Sequence, residues 1–403
     1  MANETIELSG HIVDSLLLAK VLDTIVDAGI AYDLVDVQIG RTNTDVSSAR
    51  IQLEGAQDEL DRLVDDLQVH GANRVSAGVT TLVAADQEGV LPAGFYSTTN
   101  LATDVLVDDR WVPVENPEMD CAIVVTPAAV RTIPMHRVRV GDQIVVGSGG
   151  VRVHAPAKQR GASPFEFMSS EVSSEKPKAL VVQQVADRLR AARESGGKVL
   201  AVCGPAVVHT GGAPDVARLI EGGWIDVLFA GNGFATHDIE SNVLGTSLGV
   251  LLAEGTPTEG GHSNHLRVIN EVRRLGSIAA AVEAGYITAG AMATCVRKGV
   301  PFVLGGSIRD DGPLPDVYVS TAEAADAMRT HIPGVSVALM LASTLHSIAV
   351  GNCLPAGVET FCVDINQAVV TKLADRGSHQ AHGIVTDVGP FVGRLADALC
   401  GEA

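Results

Sequence analysis

At 403 residues the chain is too long for one ordinary domain, and its 46% hydrophobic and 19% charged content is that of a globular protein, not of a disordered or collagen-like one. The 29 basic and 48 acidic side chains leave a formal charge of −19, which repels phosphate backbones and anionic lipid and so argues against nucleic-acid and membrane partners. Aromatic residues make up only 3%, so the core must come from Val, Ala, Leu and Ile, which favours α/β layers with buried aliphatic strands.

The first eighty residues predict a small α+β unit. Strands are expected at Thr5 to Ser9, Tyr32 to Ile39 and Ser47 to Leu53, with a short one at Arg74 to Ser76. Helices are expected at Ser15 to Ala28 and Gln57 to Val69; the second carries Leu60, Leu63, Val64 and Leu67 on one face. The order βαββαβ is that of the split-βαβ (ferredoxin-like) sandwich, suited to pairing with a neighbour or binding a small ligand. From Leu82 to Ala155 short β signals with Pro and Gly predict a β-rich module, in which Gly147-Ser148-Gly149-Gly150 is expected to be a hairpin turn. Ala157 to Lys178 is expected to be a linker.

Beyond Pro177 the text alternates between helices and aliphatic strands. Strands are expected at Lys198 to Cys203, Ile225 to Ala230, Val300 to Leu304, Gly334 to Met340, Thr360 to Asp364 and Gly383 to Asp387. Strand, small-residue loop and helix, repeated six times, predict a doubly wound parallel sheet whose ligands sit at the carboxyl ends of its strands. The expected domains are 1–82, 83–165 and 166–403. Val335 to Val350 is apolar but interrupted by Ser, Thr and His, so it is expected to be a buried element and not a membrane span. The six cysteines, at 121, 203, 295, 353, 362 and 400, lack any CxxC spacing, and the first residues lack a secretion signal, so a cytoplasmic location with reduced thiols is expected.

Candidate functional residues cluster in the loops after these strands. Gly204-Pro205, Gly231-Asn232-Gly233, Gly305-Gly306-Ser307 and Ser343-Thr344 are read either as cradles for a pyrophosphate or as tight turns. Gly231-Asn-Gly-Phe-Ala-Thr236 is not GxGxxG, so the usual dinucleotide fingerprint is absent. Asp364 and Asp387 each close an aliphatic strand, where an acid either accepts hydrogen bonds from ribose hydroxyls or caps the next helix. The polar run from Glu259 through His262 to Arg267 offers acid/base or anion-binding groups; the third ligand a metal would need is missing, and no metal is expected. Arg309, with Asp310 and Asp311 beside it, is read either as a carboxylate clamp with acids for an amine or a ribose, or as part of a solvated loop stopped by Pro313 and Pro315. Cys295, two residues before Arg297, is either a thiol with depressed pKa or a small core residue.

These stretches together are specific. Ile6-Glu-Leu-Ser-Gly-His-Ile-Val13 resembles the conserved region of lysine-ketoglutarate reductase/saccharopine dehydrogenase bifunctional enzymes. The remainder resembles the archaeal-type ornithine cyclodeaminase family, through Gly231-Asn-Gly-Phe-Ala-Thr-His-Asp-Ile-Glu240, Glu259-Gly-Gly-His-Ser-Asn-His-Leu-Arg267, Leu304-Gly-Gly-Ser-Ile-Arg-Asp-Asp-Gly-Pro-Leu-Pro315 and Val363-Asp-Ile-Asn366. The resemblance implies a deoxyhypusine-synthase-like sheet that binds NAD without GxGxxG. It implies that Asn232, Gly233, Asp311, Ser343, Thr344, Leu345, His346, Asp364, Asp387 and Val388 surround that cofactor.

The implied reaction turns L-ornithine into L-proline and ammonia through imines, with hydride lent to bound NAD and returned. Its needs assign the carboxylate clamp to Arg309, with Arg267 second, and the proton transfers to Asp310, Glu259 and His262, with Cys295 as a further candidate. The expected partners are ornithine or an analogue and further copies of the chain in a homo-oligomer. A dehydrogenase acting on a related amino acid such as lysine or saccharopine, and a non-catalytic sensor of NAD and amino acid, are the alternatives.

Overall fold

The computed structural model describes residues 2–13, 16–41, 45–68, 70–75, 78–154, 178–247, 250–251, 263–310, 312–369, 372 and 381–401. They form two compact units, one of residues 1–166 with 352–357, the other of 167–351 with 358–403.

The first unit opens with β1 (Ala2–Gly10), α1 (Leu17–Asp27), β2 (Ala31–Gln38), β3 (Ser47–Gly55), α2 (Gln57–Gln68) and β4 (Ala72–Arg74). Their antiparallel sheet has the order β2-β3-β1-β4, with Ile6 opposite Ile51, as the split-βαβ pattern requires. Ile6, Leu8, Ile51 and Leu53 bury against Val21 and Ile25 of α1 and the apolar stripe of α2. The edge strand β2 is exposed along its whole length, so the alternation of Tyr32 to Ile39 is not expressed as burial.

Two further antiparallel sheets follow. One is formed by β5 (Thr81–Ala84), β8 (Ala122–Val125), β9 (Val130–Ile133) and β10 (Gln143–Val146); the other by β6 (Thr103–Val107), β7 (Arg110–Pro113) and β11 (Val151–Val153). β6 and β7 are a hairpin turned by Asp108 and Asp109, both at positive φ (48° and 59°), the conformation a two-residue hairpin turn needs. The hairpin expected at Gly147 to Gly150 is corrected: β10 and β11 lie in different sheets, and the glycines carry the chain between them. The linker expected from Ala157 lies outside the described residues as far as position 177.

The second unit runs α3 (Lys178–Glu194), β12 (Lys198–Cys203), α4 (Ala206–His209), α5 (Ala213–Glu221), β13 (Val227–Gly231), α6 (Asn232–Leu244), β14 (Thr246–Ser247), β15 (Val250–Leu251), α7 (Asn264–Leu275), α8 (Ile278–Glu283) and α9 (Ala291–Lys298). It continues with β16 (Phe302–Gly305), β17 (Val317–Tyr318), α10 (Thr321–His331), β18 (Val335–Leu341), α11 (Thr344–Cys353), β19 (Glu359–Asp364), β20 (Ala381–Val385) and α12 (Val388–Cys400).

Seven strands make one wholly parallel sheet in the order β17-β16-β13-β12-β18-β19-β20. The chain moves outward from β12 to β17, then returns to the other side of β12 as β18 and moves outward again. With right-handed crossovers this reversal puts helices on both faces, so the sheet is doubly wound. The two-residue edge strand β17 was not expected; it lies just past Pro313 and Pro315, which hide so short a signal. Val335 to Val350 is a buried strand followed by the start of α11, as expected. No helix among the described residues is long and apolar enough to cross a membrane.

The loops that leave β12 and β18 touch where the strand order reverses. Gly204 donates its N–H to the Leu341 carbonyl at 2.8 Å, and a Cβ on Gly204 would stand 1.8 Å from the Ala342 carbonyl oxygen. Ala342 itself sits at φ 46°. Gly204→Ala should therefore cost about 1–3 kcal/mol through forced backbone movement. Gly357→Ala, whose Cβ meets nothing within 4 Å, should leave stability unchanged. Equal urea midpoints for the two variants would disprove the constraint.

Candidate active site

The loops at the carboxyl ends of the parallel strands are packed against one another. A Cβ on Gly231 would stand 2.6 Å from Cε1 of His346, and one on Gly305 3.2 Å from its Nε2. The imidazole of α11 thus lies over the ends of β13 and β16, and those two glycines make room for it. Gly389 of α12 abuts the Thr210 carbonyl in the same way, at 2.4 Å from a built Cβ. At these positions the glycines serve close packing, a role distinct from both the pyrophosphate cradle and the tight turn expected of them.

Asn232 opens α6 and is buried. Its Oδ1 accepts the Leu314 N–H at 3.0 Å and the Thr236 hydroxyl at 3.3 Å, which ties the loop after β16 to the helix after β13. In that loop Asp310 accepts the Ser307 N–H at 2.8 Å, and Ser307 Oγ accepts the Arg309 N–H at 3.2 Å. The Asp310 carboxylate therefore shapes the turn. The Arg309 side chain is exposed and has no ion-pair partner among the described residues. Burial lowers the His346 pKa, with Asp310 pulling weakly the other way, so that imidazole is neutral near pH 7.

Asp364 ends β19 nearly buried, and its Oδ1 accepts the Asn366 N–H at 2.8 Å, leaving Oδ2 without a partner among the described residues. Asp387 is the N-cap of α12, accepting the Gly389 N–H at 3.1 Å, and Val388 is buried in the first turn. Ser343 is buried, whereas Thr344 and Leu345 are exposed at the start of α11. Leu345 and Ile365 follow the adjacent strands β18 and β19 with 81% and 76% of their surface open, a setting that suits a flat ring. Gly233 sits in the first turn of α6.

Arg267 is exposed in the first turn of α7. Glu259, His262 and Asp311 lie outside the described residues. Cys295 is corrected: it is fully buried in α9, where burial pushes its thiol up to about 12, so it is a core residue and not a reactive thiol.

The structure also assembles a polar cluster that sequence reasoning missed. α6 is buried around most of its circumference, so its polar residues lie inside. Asp238, with no exposed surface, accepts the Ala291 and Met292 N–H groups at 3.0 and 2.9 Å and so caps α9. His237 Nδ1 is 2.8 Å from Glu240 Oε2, and Glu240 is fully buried. Thr246 donates its hydroxyl to Glu240 Oε1 at 2.8 Å and accepts from Asn264 at 2.9 Å. His209 stands edge-on to His237, their centroids 4.9 Å apart, and its Nδ1 is 2.7 Å from the Ser247 hydroxyl; His265 lies 6.4 Å from His237. Burial and the neighbouring His237 lower the His209 pKa. The legible signal was a His and a Glu three residues apart in a helix, hence on one face. Among the described residues no group of three or more His, Cys, Asp or Glu is placed to hold a metal.

A parallel sheet in this order, with ligand-sized chemistry gathered at its carboxyl edge, defines the Rossmann class of α/β proteins. The chain belongs to the archaeal-type ornithine cyclodeaminase family. Residues 183–395 match the model for the arginine dihydrolase ArgZ-like C-terminal Rossmann fold, 102–182 its first region, and 3–101 the LOR/SDH bifunctional enzyme conserved region. The chain is 49% identical, over 98% of its length and 97% of the relative's, to a protein of Methanopyrus kandleri named ornithine cyclodeaminase. Among solved structures it resembles a conserved LOR/SDH protein from Methanococcus maripaludis S2, at 46% identity and a TM-score of 0.75 over 80% of this chain and 98% of that one. It also resembles AgrE in a ternary complex with ornithine and NAD+, at 41% identity and a TM-score of 0.54 over 99% of this chain and 57% of that one.

Burial raises the Asp238 pKa to about 6, against the two backbone N–H groups that lower it. The folded state then binds more protons than the unfolded state between about pH 4 and 6, so this group's contribution to stability falls as pH rises through that window. At roughly 1.4 kcal/mol per unit, the fall is about 3 kcal/mol. Asp238→Asn lacks this titration, so its stability deficit relative to the parent chain should shrink between pH 4.5 and 7. Urea unfolding at both pH values measures this; a constant deficit would contradict it.

Proposed function

We propose that the chain is an NAD-dependent ornithine cyclodeaminase, an ammonia-lyase that converts L-ornithine to L-proline and ammonia. The observation that carries this reading is the full-length likeness, at 49% identity, to a relative named for that activity. The crevice where the strand order reverses is consistent with it, because open parallel sheets bind dinucleotides there.

The residues at the crevice fit NAD. Asp364, whose Oδ2 has no partner among the described residues, and Asp387, beside Val388, serve ribose hydroxyls; the first turn of α11, with Ser343 and Thr344, serves the pyrophosphate; and Leu345 offers apolar surface to a base. Asn232 and Gly233 at the start of α6, with His346, complete the group, and Asp311 stands as a further candidate from the sequence pattern. When bound, NAD supplies a hydride acceptor that gives the hydride back before product leaves, so the reaction has no net redox change.

Arg309 holds the substrate carboxylate as a bidentate pair, on a turn that Asp310 shapes and Asn232 anchors. Glu259 and His262 lie in the segment leading into α7 and stand as proton-transfer candidates from the sequence pattern.

Incubation with ornithine, lysine or arginine and catalytic NAD tests the reading. Ornithine should give proline and ammonia in equal amounts with no build-up of NADH; stoichiometric NADH without ammonia would replace the cyclodeaminase with a dehydrogenase. Arg309→Ala should raise KM for ornithine roughly tenfold or more, the loss of about 1.5–3 kcal/mol in a charge-assisted bond, and change kcat far less. Unaltered steady-state kinetics would remove Arg309 from the site.

A further inference from the structure

We propose that His237, oriented by Glu240, is the acid/base residue that moves protons between the two nitrogens of the substrate, an inference that rests on the cyclodeaminase reading. Three imidazoles gather from three elements: His209 at the end of α4, His237 in α6 and His265 in the first turn of α7. Only His237 is backed by a fully buried carboxylate. Its Nδ1 faces Glu240 at 2.8 Å, and the other Glu240 oxygen is held by the Thr246 hydroxyl, itself fixed by Asn264. Glu240 therefore keeps the proton of the neutral imidazole on Nδ1. The lone pair sits on Nε2, which has no hydrogen-bond partner among the described residues.

The position suits the reaction. His237 lies five residues beyond Asn232, about 7.5 Å along the axis of the helix that springs from the carboxyl end of β13. His265 follows directly on the Glu259 to His262 run in the chain.

The proton balance defines the task. The ring-forming nitrogen arrives as an ammonium and must shed two protons, one before it attacks the imine carbon and one before its lone pair expels the other nitrogen. The departing nitrogen, also an ammonium at the outset, must lose one proton to solvent before hydride leaves its carbon, and must regain one to leave as ammonia. His237 Nε2 takes the first proton, delivers it to the departing nitrogen, takes the second and returns it to the product amine. The imidazole ends neutral, as it began.

Among the described residues, the groups facing His237 are His209, His265 and Glu240. In the full-length protein with saturating NAD, His237→Gln should lower kcat about 100-fold and abolish the acidic limb of the kcat/KM profile. NAD affinity by calorimetry should stay within threefold. Glu240→Gln should lower kcat at least about tenfold and move that limb toward lower pH, because the imidazole loses the carboxylate that orients it. If His237→Gln does not fold, as judged by thermal melting, the Glu240→Gln profile decides. A His237→Gln enzyme with more than a third of the parent kcat and an unchanged pH profile would overturn the assignment. Nitrogen-15 NMR of the imidazole tests it without turnover. The Nδ1–H tautomer is expected at His237 near pH 7.5, and an Nε2–H tautomer would refute the orientation. Absence of ammonia release by the parent chain would instead overturn the cyclodeaminase reading, with the tautomer still measurable.

Discussion

The second unit depends on one close approach, the crossing of the backbones that leave β12 and β18. A parallel sheet that winds outward from its middle in both directions sends the loops of two neighbouring strands to opposite faces at the point of reversal, so those loops start side by side. Here Gly204 and Ala342 meet so closely that any side chain at position 204 would overlap a carbonyl oxygen. Fixing that crossing sets where α4 and α11 begin. From α11, His346 reaches over the ends of β13 and β16, where Gly231 and Gly305 leave space for it. The glycines that make the loops look like a nucleotide cradle are in good part consequences of this packing.

α6 shows how one helix separates structural from chemical work. Asp238 and Glu240 are both buried without exposed surface, and a buried carboxylate must find donors or stay protonated. Asp238 finds two backbone N–H groups at the start of α9, which fixes that helix and leaves no oxygen for a ligand. Glu240 finds a hydroxyl and an imidazole instead, and an imidazole has a second nitrogen to offer elsewhere. Two acids two residues apart point to different faces of the helix, so one caps α9 and the other backs His237.

Much of the architecture was legible because its signals are local. Aliphatic runs such as Val199 to Cys203 can only be buried strands, and each ends in a small-residue loop. The β17 edge was not legible, since two residues carry no period, and the crossing between β10 and β11 was misread because a glycine run fits a hairpin and a sheet change equally well. At the site, Asp364 and Asp387 stood out by ending strands. The partners of Asn232, 82 positions away at Leu314, and the meeting of His209 with His237 were invisible, because neither follows from spacing along one element. Cys295 misled for a related reason: nearby basic residues in sequence say nothing about the desolvation that governs its thiol.

The surface charge of −19 and the state of the buried imidazoles bear on the same substrate in different ways. An acidic surface attracts a molecule with two ammonium groups, but it does so over distances that salt screens. Within the site the requirement is the reverse, because a protonated imidazole would repel an ammonium and could not accept its proton. Burial lowers the pKa of both His209 and His346, which disfavours positive charge on either imidazole. Arg309, exposed on a turned loop, and Arg267, exposed in the first turn of α7, both lie outside that buried setting. Under the proposed function, long-range attraction, uncharged imidazoles and an exposed guanidinium act on different charges of one zwitterion.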